Sequence, residues 1–203
     1  MRKTKLTARK KQALVTHHKI YKTALGLFRK KGYDVVTVDE ICKKAGVSKG
    51  TFYVYYESKE QVIYDLFIAH DKVYDDFVAS ELVSITNPLE KLLLLGNKAL
   101  NFVIDWGIDI MQITYRARAS FNKRDPSFLS EKRALNKIIP VLVGDAQRQG
   151  QIRTDLSADD IADVILRSMD GVIHKWCLVN GALDLIGESE KMFSVLLRGL
   201  RPE

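Results

Sequence analysis

TVDEICKKAGVSKGTFYVYYESK, residues 37–59, reads as two short helices folded around a tight turn. Thr37 and Glu40 stand three apart as a capping box, each side chain satisfying a backbone donor that a helix start leaves orphaned. Val38, Ile41 and Ala45 then share one face of the first helix, the spacing of a buried stripe. Gly46 closes that helix, since glycine enters the left-handed conformation without steric cost. Ser48 is placed to cap the next one. Two helices joined through so short a Gly-containing turn make a helix-turn-helix, spanning about residues 37–56. The second helix carries Lys49, Gly50, Thr51, Tyr53 and Tyr55 and meets no acid until Glu57. Such a helix can approach phosphates and base edges.

The charge distribution leads to the same place. The chain of 203 residues has 32 Lys+Arg against 25 Asp+Glu, a formal +7. Residues 1–60 hold 15 basic and 5 acidic side chains, a net +10; the other 143 hold 17 and 20, a net −3. A basic excess confined to one segment is what counterion release from DNA requires. Charge alone would serve an anionic membrane or RNA equally well; joined to the helical geometry it favours duplex DNA.

Hydrophobic content of 46% and charged content of 28% are ordinary for a globular protein. Apolar runs are short, such as Leu92 to Leu95, so no membrane span or membrane partner is expected. The basic N-terminus lacks the apolar stretch of a secretory signal and reads as an arm over residues 1–9, in a cytoplasmic protein. Cys42 and Cys177 are expected to be reduced and buried.

Helical period and punctuation extend along the rest of the chain. Leu14, Ile20, Ala24, Leu27 and Phe28 pattern a helix from about Arg9 to Lys31, ended by Gly32. Ser58 and Gln61 form a second capping box, opening a helix with Val62, Leu66, Val73 and Phe77 inward. Asn87-Pro88 is a cap followed by proline at the first helical position, with a Leu-rich helix reaching about Asp105. Further helices are expected over about 109–122, from Asp125-Pro126 to Gly150 with a bend at Pro140, from Ser157 to about Val179, and from about Leu183 to Leu200. Tyr33 to Val38 is β-prone, but one isolated run makes no sheet. The fold class is all-α, about nine helices: a helix-turn-helix domain over 10–58 and a larger helical ligand-binding and dimerisation domain over 59–203.

The chain resembles the TetR-type (TetR/AcrR) transcriptional regulators. The resemblance is carried by Leu27-Phe28-Arg29-Lys30-Lys31-Gly32-Tyr33, by Thr37-Val38-Asp39-Glu40-Ile41, by Ala45 through Tyr53, and by Tyr55-Tyr56 and Ser58-Lys59-Glu60. It covers about residues 10–70, with a fainter echo at Gly150 to Leu156. It implies that the second helix of the motif lies in the major groove of a pseudo-palindromic operator. Thr37 and Lys59 then match phosphate contacts at helix starts; Ser48, Lys49, Gly50 and Thr51 lie at the leading end of the recognition helix. Tyr53, Val54 and Tyr55 lie on its outward arc, Tyr55 standing where many members have histidine. Tyr53 and Tyr55 packing against neighbouring helices is the alternative. Phe52 and Tyr56, four apart, are read as core.

In the second domain, Ile161, Ile165, Gly171, Val172 and Trp176 with Leu185, Phe193, Leu196 and Leu200 are expected to form a homodimer interface of four helices. Trp106, Met111, Tyr115, Arg116, Arg118, Phe121, Phe128 and His174 are candidate lining residues for a small-molecule effector; plain core is the alternative. Arg116 and Arg118 either face inward, to pair an anionic ligand or Asp105, or are solvated. No Cys-x-x-Cys, His-Glu-x-x-His, Gly-x-Ser-x-Gly or phosphate-cradling Gly loop occurs. No catalytic residue, metal ligand or cofactor is assigned. The reading is a DNA-binding regulator, a repressor released by a small effector. Alternatives are an activator, a regulator signalled by a protein partner, or a helical enzyme or lipid-binding protein with a basic domain.

Overall fold

A computed structural model describes residues 7–120 and 133–202. Those residues form α-helices and no strand: α1 (Ala8–Lys31), α2 (Val38–Ala45), α3 (Lys49–Tyr55), α4 (Lys59–Ser80), α5 (Pro88–Trp106), α6 (Ile108–Ser120), α7 (Ala134–Arg148), α8 (Ala158–Leu178) and α9 (Leu185–Gly199). No helix among them is long and apolar enough to cross a membrane. The chain divides into two compact units, Met1–Leu66 and Phe67–Glu203. The division falls inside α4, eight residues beyond the 58/59 boundary expected from the sequence, because Val62, Ile63 and Leu66 are buried in the first unit.

The helix starts obey local chemistry. Thr37, Ser48, Asn87 and Ser157 each accept a backbone N–H of the first turn, as expected. Thr7 and Asp184 do the same for α1 and α9. Gly46, in the left-handed region at φ 61°, ends α2. The turn after α8 uses Asn180 at φ 51° and Gly181 at φ 78°. Neither capping box closes reciprocally. The Glu40 carboxylate binds Lys31 Nζ at 2.5 Å, and Gln61 Oε1 accepts from the N–H of Glu57. An opposite charge or a nearer orphan donor wins over the reach back to the cap residue.

In the N-terminal unit, α1 packs on α2 and α2 on α3. Ile20, Ala24, Leu27 and Phe28 meet Ile41, Ala45 and Phe52 in its core, all nearly free of solvent contact. Leu14, expected inward, is 56% exposed. In the C-terminal unit, α7 packs on α5 and α8, α6 on α5 and α8, and α9 on α8 and α5. In α4, Tyr74 and Phe77 take the inner face and Val73 faces outward. Nothing caps α7 from its own N-cap residue, Arg133. The cap comes from α4: Asp71 Oδ1 accepts the Ala134 N–H at 3.3 Å, and both Asp71 oxygens accept from Arg133 Nε at 3.0 and 2.8 Å. The predicted start of this helix at Asp125-Pro126 lies outside the described residues.

Candidate functional site

The sequence of α3, KGTFYVY, is a poor helix former: one glycine, two β-branched residues and three aromatics in seven positions. Two devices hold it. Ser48 Oγ accepts from the Thr51 N–H at 3.0 Å and lies 2.9 Å from Thr51 Oγ1. Phe52, fully buried, anchors the helix, its ring 5.6 Å from that of Tyr56. Both were expected as core. With one face pinned, the other must point out: Ser48, Lys49 and Gly50 are exposed, Tyr53 is 54% exposed and Val54 77%. The Tyr53 ring meets that of Phe52 edge-on at 5.5 Å and is otherwise largely open to solvent with Val54 beside it, an apolar surface that a partner could cover.

Lys49 Nζ sits 2.7 Å from Asp39 Oδ1 in an exposed pair. Such a pair contributes little to stability, so Lys49 can trade its carboxylate for a phosphate cheaply. Around Gly50 an added Cβ would meet only Ser48 Oγ, at 3.7 Å, so the fold does not demand glycine. Thr37 is exposed at the α2 N-cap, its Oγ1 engaged by the Glu40 N–H. The sequence reading did not single out Lys19, whose ammonium lies 3.4 Å from where a Cβ on Gly46 would stand, over the turn of the motif. Sequence spacing gives no sign of this, because the contact joins two helices.

Lys59 is arranged otherwise than expected. Its ammonium points inward, donating to the Tyr33 and Val36 carbonyls at 2.9 and 3.0 Å and lying 4.1 Å over the Tyr33 ring. The loop between α1 and α2 leaves carbonyls without helical partners, and a long cation satisfies them more completely than a solvated position would. Beside it, burial tends to raise the Glu60 carboxyl pKa. Hydrogen bonds from Tyr33 and Ser58, with the Lys59 charge, outweigh that and hold it below the ordinary range. Tyr55 is half-exposed, its ring edge-on to His17 at 5.7 Å. His17 is bound to Tyr56 and Asp65.

Both thiols are free and buried. Burial raises the pKa of Cys42, and burial with the Asp170 charge pushes that of Cys177 up to about 11. Neither is a reactive thiolate.

In the C-terminal unit the candidate lining residues scatter. Trp106 and Met111 are buried core. Tyr115 stacks on exposed His174 at 4.6 Å and donates to Asp170. Arg116 is exposed. The side chain of Arg118, together with Phe121 and Phe128, lies outside the described residues. An apolar cavity among the described residues lies elsewhere, between α5, α7, α8 and α9. It measures about 20 Å³ and is lined by aliphatic side chains and Phe193. Phe193 Cζ rests 2.8 Å from where a Cβ on Gly96 would be, so the phenyl ring fills the notch that glycine leaves.

The expected interface residues also divide. Ile161, Ile165, Trp176, Leu185, Phe193 and Leu200 are buried within one chain and are therefore not a surface. The most apolar face of each helix is consumed by its own subunit's core. What faces outward is the adjoining strip: Gly171, Val172, Met192, Val195 and Leu196 line a shallow groove between α8 and α9. Val195 is 71% exposed.

A short exposed helix seated by a buried aromatic, beside a capped partner helix on a basic unit, defines a helix-turn-helix DNA-binding protein. Residues 20–66 match the family described as Bacterial regulatory proteins, tetR family. Over those residues the chain is similar to transcriptional regulators of that TetR type. It is 26% identical over 200 residues to the HTH-type transcriptional regulator TtgR of Pseudomonas putida, covering 95% of this chain and 94% of that one. It is 22% identical over 197 residues to the Fatty acid metabolism regulator protein of Bacillus subtilis, covering 94% and 98%. Among solved structures, Thermus thermophilus FadR, a TetR family transcriptional repressor in complex with lauroyl-CoA, superposes with a TM-score of 0.71 at 24% identity, over 90% of this chain and 94% of that one. It shares the fold.

Proposed function

We propose that the protein is a homodimeric repressor that reads a pseudo-palindromic operator with α3 in the major groove and is released by a small effector. The observation that carries this reading is the outward face of α3, where Tyr53 and Val54 stand exposed beside Lys49 and Gly50. In this arrangement Ser48, Lys49, Gly50 and Thr51 meet the DNA first. Tyr53, Val54 and the free edge of Tyr55 follow the groove, and Thr37 and Lys19 flank it on the phosphates. Lys59 acts as an internal clasp.

Reading two half-sites requires two α3 helices at fixed separation. The strip of Gly171, Val172, Met192, Val195 and Leu196 suits pairing with a second copy. An added Cβ on Gly171 would meet nothing within 4 Å, so that glycine serves no need of its own subunit and leaves room for another backbone.

The effector reading is supported by the apolar cavity and by the names of two similar proteins, a fatty acid metabolism regulator and a repressor solved with lauroyl-CoA. An effector with a substantial apolar part would enter between α5 and α7 and push the Phe193 ring off Gly96. The testing experiment is selection of bound sites from random duplex DNA near physiological salt. A two-half-site motif is the expected result. Recovery of salt-sensitive binding with no motif would sink the reading.

A further inference from the structure

The geometry points to the His17–Tyr56–Asp65 cluster as a brace that sets the orientation of the recognition helix, with His17 as a positioning residue for Tyr55. This rests on the DNA-binding reading above. Three helices contribute: His17 comes from α1, Tyr56 ends α3, and Asp65 lies on α4 within the N-terminal unit. Tyr56 Oη donates to Asp65 Oδ2 at 2.8 Å. His17 Nε2 lies 3.0 Å from Tyr56 Oη and 2.8 Å from Asp65 Oδ2.

Proton accounting fixes the roles. A tyrosine hydroxyl has one proton, here given to the carboxylate, and an ionised carboxylate only accepts. Burial and the bond to Asp65 raise the Tyr56 pKa, so the hydroxyl keeps that proton. His17 Nε2 therefore faces two acceptors and must carry an N–H of its own. The closed triangle satisfies a hydroxyl that is 1% exposed on its residue, and it uses every member to do so.

The same imidazole stacks on Tyr56, with centroids 5.1 Å apart and planes 22° from parallel, and takes the edge of Tyr55 at 65°. It is the wall behind Tyr55. A phenylalanine at position 56 would fill the core without any of this. What the hydroxyl and the imidazole add is a directional link, which resists rotation of α3 about Phe52 where hydrophobic contact alone would permit it.

Phosphate contacts by flexible lysines tolerate a small rotation of α3; hydrogen bonds and apolar contacts to base edges do not. The brace therefore acts on discrimination. The experiment compares His17→Leu, His17→Gln and Tyr56→Phe with the unaltered chain, titrating the selected operator and a scrambled duplex across salt concentration. His17→Leu and Tyr56→Phe are expected to weaken operator binding about tenfold, with scrambled-duplex affinity and salt slope preserved. His17→Gln, whose amide N–H replaces Nε2–H, is expected to restore most of the loss. Equal loss on both duplexes, operator affinity unchanged in His17→Leu and Tyr56→Phe, or His17→Gln as weak as His17→Leu would each overturn the brace. If His17→Leu does not fold by circular dichroism, Tyr56→Phe, which keeps the ring packing, decides alone. An unaltered chain with no operator preference would instead overturn the parent reading.

Discussion

Gly50→Ala separates what the fold needs from what the DNA needs. Gly50 is the second residue of α3, is exposed, and has no positive φ. An added methyl group meets one atom, Ser48 Oγ at 3.7 Å, an ordinary contact. Alanine in place of an exposed helical glycine stabilises by about 0.5–1 kcal/mol, the upper end applying to helix interiors and the lower to first-turn positions. The urea midpoint of the N-terminal unit should therefore rise slightly or hold. Against DNA the sign reverses. If the start of α3 lies against the groove wall, the methyl group must displace water or push the helix outward, and a loss of about 1.4 kcal/mol is tenfold in affinity. Fluorescence anisotropy on the selected operator, paired with urea unfolding, reads both quantities. Operator affinity equal to that of the unaltered chain would refute the placement of Gly50 at the interface. Loss of stability together with affinity would refute the steric reasoning.

The other expectations follow from single contacts. Lys49→Ala should leave stability within about 0.5 kcal/mol, since the pair with Asp39 is exposed. Its log Kd against log salt plot should lose about one unit of slope if a phosphate contact is removed; an unchanged slope would take Lys49 off the backbone. Val195→Asp places a charge on a residue that is 71% exposed in the single chain. The fold should survive, while sedimentation equilibrium should show a shift to monomer; an intact dimer would exclude the strip as the interface. Glu60 is held below its ordinary pKa in the folded state. Its contribution to stability is full above the unfolded value near 4.5 and is lost as pH falls through the lower folded value. Glu60→Gln should flatten the acid limb of urea stability in the N-terminal unit, and an unaltered acid limb would remove Glu60 from the account.

Helix identity and order were legible because the signals are local. Thr37, Ser48, Asn87 and Ser157 cap where their own next turn needs an acceptor, and that can be read within four residues. Partner choice was not legible, because it is decided by what the fold brings near. Glu40 takes Lys31, nine residues back, over its own cap; Lys59 takes carbonyls at 33 and 36; His17 finds Tyr56 and Asp65 about 40 and 50 residues away. The outward-facing residues of α3 were legible for a related reason. In a seven-residue helix, naming Phe52 as the anchor leaves few positions to point outward. On α8 and α9 the same logic misled. A long helix has two apolar strips, and the more hydrophobic one, with Ile161, Ile165 and Trp176, belongs to the interior of its own subunit. The surface strip is recognised only by its lower apolarity and by small residues such as Gly171.

The proposed effector site was least legible, since the cavity between α5, α7, α8 and α9 is filled mostly by the protein's own side chains. A cavity of about 20 Å³ has room for one water, yet its lining offers no polar partner, and such space stays dry. An effector gains little by filling it as it stands. On the proposed reading it would gain by displacing Phe193 from the Gly96 notch and parting α5 from α7, and it would shift the protein only by the difference in its affinity for the two packings. The structure of α7 makes that difference consequential. Its N-terminus has no cap of its own and borrows Asp71 from α4, with Arg133 holding the same carboxylate. Moving α7 away from α4 would break the Asp71 contacts to the Ala134 N–H and to Arg133 Nε. Moving α4 with it preserves both contacts. If a ligand were to enter between α5 and α7 as proposed, the cheaper response within the C-terminal unit would be to carry the part of α4 that holds Asp71 along with α7.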